Sequence, residues 1–163
     1  VQKSCCVSLT ISLATPLFKG TTLKQVTGNL FDCPNDEALA HWISADCCMG
    51  AGIAVLFKQI FEGVSELLKQ RKAPGQCAVL LREGRFIFYL VCANSTRLNP
   101  SLEDIRSHCI RNWVHKLSMP RIGCGLDQLE WMLGFSEILE QVFMGTDITI
   151  TIYSLPWTAA SMN

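Results

Sequence analysis

The chain has 163 residues, 49% hydrophobic and 17% charged, with 14 basic side chains balanced by 14 acidic ones. That is enough apolar material for one buried core in a single folded unit. Zero net charge excludes broad electrostatic capture of nucleic acid or of an acidic membrane, while leaving room for a local pocket that takes one diphosphate. Nine cysteines, an odd number without a C-x-x-C pair, imply neither a disulfide framework nor a zinc site. Cys77, Cys92 and Cys109 lie in apolar segments where a reduced thiol packs as a small hydrophobe, the pattern of an intracellular protein, nuclear or cytoplasmic.

At the start of the chain Lys3 is followed over residues 5–14 by an apolar run interrupted by Ser and Thr. The run is too short to span a bilayer, and a tail or an added edge strand is expected here rather than a targeting signal. From Thr21 onward, strand and helix patterns alternate. A strand is expected over 23–26, a loop over 28–34 and a buried strand over 39–43. A helix follows over 52–61, breaks near Gly63 and resumes over 64–69, with Ala73-Pro74-Gly75 as its stop. Two strands, 77–82 and 86–91, join through Glu83-Gly84, which has hairpin chemistry. Asn99-Pro100-Ser101 opens a helix to about Trp113, with Leu102, Ile105, Cys109 and Ile110 on one face. A short strand over 116–119 ends at Pro120, a helix runs over 129–144, and Ile148, Ile150 and Ile152 alternate in a half-buried strand over 147–155. Residues 156–163 form a tail. The sum is a mixed α/β sheet with helices on its faces, occupying 21–155.

Ligands of such sheets collect at the carboxyl ends of the strands. Two glycine-bearing loops are expected there. In the first, Asp46-Cys47-Cys48-Met49-Gly50-Ala51-Gly52 passes into the apolar run Ile53, Phe57, Ile60, Phe61. Glycines allow a ligand to reach the main chain, and the first amides of the helix are unpaired donors for a diphosphate, although a plain capping turn has the same composition. The second loop is Pro120-Arg121-Ile122-Gly123-Cys124-Gly125-Leu126-Asp127. Asp46 either orients its loop or caps the following turn. His41 reads as a core residue, and His108 and His115 have no partners at metal spacing. Neither glycine pair has the third glycine of a dinucleotide fingerprint, and no phosphate-binding Gly-Lys-Ser/Thr loop or nucleophile elbow is present.

Taken in order, Val26-x-Gly28-x-Leu30, Leu39-Ala40-His41-x-Ile43-Ser44, Met49-Gly50-Ala51-Gly52-Ile53-Ala54-x-x-Phe57 and Ser118-Met119-Pro120-Arg121-Ile122-Gly123-Cys124-Gly125-Leu126-Asp127 resemble a macrodomain. The branch they are most similar to is the terminal ADP-ribose protein glycohydrolases, also described as O-acyl-ADP-ribose deacylases. The resemblance spans about residues 21–155 and implies a three-layer α/β/α macrodomain with a mixed central sheet. It implies an ADP-ribose cleft lined by Asn29, Leu30, Ser44, Gly50, Ala51, Gly52, Ile53, Ile122, Gly123, Cys124, Gly125 and Leu126. Its partners would be ADP-ribose or proteins carrying it on glutamate, bound by a monomer without cofactor or metal. Family members of this type use a lysine that attacks the anomeric carbon and an aspartate that assists release.

Asp127 matches the aspartate. Aligning the hairpin places Leu81 where the lysine is expected, and leucine has no lone pair for attack, so hydrolysis is expected to be impaired and binding retained. The alternatives are an active hydrolase that uses Asp127 and water, and a degenerate copy with little affinity. Asn29 stands where macrodomains usually carry an aspartate for the adenine amino group; it keeps a carbonyl acceptor and loses the charge. The segment before Ser107-His108-Cys109 is also shorter than the family pattern by about two helical turns, which returns the remaining helix to nearly the same face.

Overall fold

The computed structural model describes residues 22–50, 52–92, 99–121 and 134–154. The elements in order are β1 (Thr22–Thr27), a 3₁₀ turn (Leu30–Asp32), β2 (Ala38–Ser44), α1 (Ile53–Phe61), α2 (Val64–Lys69), β3 (Cys77–Arg82), β4 (Arg85–Cys92), α3 (Asn99–Arg111), β5 (Lys116–Pro120), α4 (Ser136–Phe143) and β6 (Thr149–Ser154). They form one six-stranded sheet in the order β1-β6-β5-β2-β4-β3. All neighbours are parallel except β3 and β4. The tails expected over 1–20 and 156–163 lie outside the described residues.

The alternation of side chains along β2 shows how the layers are built. Ala38, Ala40 and Trp42 face one core and Leu39 and Ile43 the other, so the strand is apolar on both faces, as a parallel strand covered by helices on each side must be. On the first face lie Leu102, Ile105 and Cys109 of α3 with Leu139 and Phe143 of α4. On the second lie Phe57 of α1, Leu67 of α2 and Leu30 of the 3₁₀ turn. This is the expected three-layer α/β/α arrangement. Two apolar positions leave their expected stripes: Ile60 and Ile110 are 51% and 53% exposed, on the outer flanks of α1 and α3.

The Glu83-Gly84 turn has both residues at positive φ, 52° and 79°, which is the geometry that matches the twist of a tight hairpin. It reverses β3 against β4, pairing Leu81 with Phe86 and Arg82 with Arg85. At the outer edge of β3, Gln70 closes the ladder. Its Nε2 donates to Val79 O at 2.7 Å and its Oε1 accepts from Val79 N–H at 2.9 Å. Asp104 Oδ2 accepts from Cys77 N–H at 2.9 Å.

Cys77 and Cys109 are fully buried thiols, and burial pushes both upward, Cys109 to about 12. Cys92 departs from the expected reduced state: it is disulfide-bonded.

Candidate ligand cleft at the carboxyl rim

Strand order fixes which residues can meet at the carboxyl rim. Gly28 N–H donates to Ser154 O at 2.9 Å and Arg121 N–H to Tyr153 O at 2.9 Å, and Ser44 is registered with Cys92. The rim therefore runs from Asn29 after β1, past Ser154 and Arg121, to Ser44 after β2 and Cys92 of β4. Three strand spacings separate the β1 and β2 ends, roughly 14 Å at the usual interstrand distance.

At the β1 end, Asn29 Oδ1 accepts from Phe31 N–H at 3.1 Å and caps the 3₁₀ turn. The turn exists because Leu30 is only 2% exposed and plugs the second core. Leu30 therefore presents its backbone to the rim and not its side chain. The rest of this loop is fastened from below. Arg85 donates from Nε to Glu37 O at 2.7 Å and from Nη2 to Cys33 Sγ at 2.8 Å, and Ser118 Oγ donates to Glu37 Oε2 at 2.5 Å.

At the β2 end, Ser44 Oγ–H and Cys48 N–H both donate to Asp46 Oδ1, the latter at 3.0 Å. Cys47 N–H donates to Ser44 O at 2.9 Å, and Cys47 takes a positive φ of 56°. Cys47 and Met49 are buried while Ser44, Asp46, Cys48 and Gly50 are exposed, so the loop is pinned by alternate side chains and shows the others to solvent. The Ser44 hydroxyl first, and the Cys48 amide second, hold the Asp46 carboxyl below its ordinary range. The structure shows both readings of Asp46 at one oxygen: Oδ1 caps the following turn through the Cys48 N–H and also holds the Ser44 hydroxyl.

Gly52 is the N-cap of α1 at φ 61°, ψ −145°, and contributes no side-chain cap. A Cβ at Gly52 would meet nothing within 4 Å, and one at Gly50 would meet only Cys48 Sγ at 3.8 Å. The helix thus begins with uncapped amides beneath open space, an arrangement suited to an anionic group. Ile53, half-buried, starts the helix. Beneath it, Phe57 is fully buried against His41, which burial keeps neutral with its pKa lowered to about 3. The expectation that His41 is a core residue is met by its burial, while its Nε2 lacks the hydrogen-bond partner expected of a satisfied one.

The structure does not bring Leu81 to this rim. The hairpin that carries it turns β3 antiparallel, so the carboxyl end of β3 lies at the amino end of β4. From the Leu81–Phe86 row to Cys92 is six residues, about 20 Å at the usual strand rise. Leu81 is 54% exposed at the far end of the sheet. Its assignment as the position of a missing nucleophile is corrected on that ground. The signal was present in the sequence, because a two-residue hairpin places the residues beside it at the opposite end from the strands' outer termini. Ala51, Ile122, Gly123, Cys124, Gly125, Leu126 and Asp127 lie outside the described residues. No group of three or more potential metal ligands occurs among the described residues, and none of their helices is long and apolar enough to cross a membrane.

No protein-family model matches the chain. It is 52% identical over 144 residues to the ADP-ribose glycohydrolase OARD1 of Homo sapiens and, to the same extent, to that of Bos taurus, with 84% of this chain and 94% of each relative covered. Its fold is similar to the macrodomain of Thermus aquaticus DarG, with a TM-score of 0.67, 21% identity, and coverage of 83% of this chain and 99% of that one. It is also similar to the Trypanosoma brucei macrodomain solved in complex with ADP-ribose, with a TM-score of 0.65, 14% identity, and coverage of 90% and 68%.

Proposed function

The chain belongs to the macrodomain family, with relatives of the ADP-ribose glycohydrolase type, and from that membership we propose that its carboxyl rim binds ADP-ribose, free or carried on protein glutamates. The observation that carries this reading is the loop from Ser44 to Ile53, where a pinned turn, two exposed glycines and uncapped helix amides face open space. In this reading the diphosphate lies over Gly50 and Gly52, and adenine lies toward Asn29 at the β1 end.

Catalysis is the finer part of the proposal. The human and bovine relatives are ADP-ribose glycohydrolases, which supports a hydrolytic ancestry. A lysine that attacks the anomeric carbon has to sit in the segments that leave the carboxyl ends of the parallel strands. Those segments, residues 28–37, 45–52, 93–98, 121–135 and 155–163, contain no lysine. We therefore read the chain as an ADP-ribose binder in which a lysine adduct is unavailable, and in which any turnover uses water assisted by Asp127. In this reading any impairment lies in the rim segments and not at Leu81.

Calorimetric titration with ADP-ribose tests binding, and release of ADP-ribose from an ADP-ribosyl-glutamate protein tests turnover. Micromolar binding with turnover that disappears in Asp127→Ala supports the water route. Absence of ADP-ribose binding would reject the reading and leave a folded copy without ligand affinity.

A further inference from the structure

The Ser44–Asp46 pair decides what kind of atom the β2 end of the cleft can recognise. A serine hydroxyl has one proton and two lone pairs. In this chain the proton is committed to Asp46 Oδ1, and the same carboxylate oxygen takes the Cys48 amide, so the direction of both donors is fixed by one atom. What Ser44 Oγ can still offer is lone pairs. A phosphate oxygen placed there would meet lone pair against lone pair, with the Asp46 carboxylate adding repulsion between like charges. A ligand hydroxyl would instead donate into an oxygen already polarised by a carboxylate.

Resting on the ADP-ribose reading above, we propose that Asp46 is a positioning residue that turns Ser44 into a dedicated acceptor for a hydroxyl of the distal ribose. The rim geometry selects that ribose. Asn29 and Ser44 lie at strand ends three spacings apart, roughly 14 Å, so a ligand with adenine at the first residue presents its opposite end to the second. The buried side chains of Cys47 and Met49 keep the loop in place around the pair, so that removing Asp46 frees the hydroxyl without unseating the loop.

The test compares ADP-ribose with ADP, which shares the adenosine diphosphate and lacks the distal ribose, by calorimetry on the full chain and on Ser44→Ala, Asp46→Ala, Asp46→Asn and the Ser44→Ala/Asp46→Ala double variant. Expected is a loss of roughly tenfold in ADP-ribose affinity for Ser44→Ala and for Asp46→Ala, the worth of one net hydrogen bond. ADP affinity should be unchanged, and the double variant should lose no more than the single ones. Asp46→Asn, whose carbonyl still accepts from both donors, should bind ADP-ribose to within about threefold of the parent chain. Equal losses for ADP and ADP-ribose would overturn the proposal and make Asp46 a scaffold for the whole loop. Unchanged ADP-ribose affinity in Ser44→Ala would also overturn it. If the parent chain binds ADP-ribose, either result rejects this proposal alone; if it does not, the ADP-ribose reading fails first and takes this one with it.

Discussion

The imidazole of His41 lies against the ring of Phe57, with centroids 3.9 Å apart and planes inclined by 25°. Through this contact a polar residue in the middle of β2 seats α1, the helix proposed to open the diphosphate cradle. Its Nε2 is buried without a hydrogen-bond partner in the structure, so the ring is held neutral by desolvation.

A pH dependence follows with a definite sign. His41 titrates near 6.5 in the unfolded chain and near 3 in the folded one, so between those values the unfolded state holds the extra proton. Its contribution is complete above pH 6.5 and is lost as pH falls toward 3, at up to about 1.4 kcal/mol per pH unit. Urea melts of the parent chain should lose about 2 kcal/mol from this group between pH 7.5 and pH 5. His41→Phe should lose less over the same interval; equal slopes in the two proteins would show that His41 is not the proton-linked group.

For the cradle, Gly50 is a cleaner probe than Gly52. Valine at Gly52 would be forced to a positive φ and cost about 1–3 kcal/mol by strain alone. A side chain at Gly50 meets only Cys48 Sγ at ordinary contact distance. Gly50→Val is expected to melt within about 1 kcal/mol of the parent chain and to lose ADP-ribose binding by calorimetry. Parental affinity in that variant would move the diphosphate elsewhere.

Leu81→Lys should do nothing to the chemistry. The residue is exposed on the edge strand at the far end of the sheet, so stability should stay within about 0.5 kcal/mol, and both ADP-ribose affinity and ADP-ribosyl-glutamate turnover should match the parent chain. A gain in turnover measured as released ADP-ribose would mean that the sheet end carrying the hairpin takes part in catalysis.

Asn29→Asp should strengthen binding. Aspartate can keep the cap on Phe31 N–H that Asn29 makes, and it presents a charged acceptor to the adenine amino group. The affinity gain is expected to be roughly three- to tenfold, with the Asn29→Asp to parent ratio preserved for AMP. A gain for ADP-ribose without one for AMP would place adenine away from the β1 end.

The local pattern carried most of the fold. The break at Gly63 and the helix over 64–69 follow from glycine placement and apolar spacing, and Glu83-Gly84 announced its hairpin. The consequence of that hairpin for Leu81 needed the whole strand order, because an alignment of residue types gives no direction along the sheet. Also illegible were contacts between distant segments, such as Ser118 with Glu37, or Arg85 with Cys33, which fasten the loop bearing Asn29. Asp46 was ambiguous in sequence because a carboxylate next to a glycine loop suits a cap and a loop brace equally. The positions of Ser44 and Cys48 around one oxygen show that it serves as both.

The amide of Gln70 does for β3 what a neighbouring strand would do. Side-chain carboxamide and peptide group have the same donor and acceptor, and here one carboxamide occupies both hydrogen-bonding positions of Val79 at once. A second polypeptide approaching that margin would have to break two made bonds before forming any of its own, on a helix side anchored by Leu67 in the core. Residue 70 thereby acts as a terminator of sheet growth, protecting from self-association the one antiparallel pair in a sheet whose other pairings are all parallel.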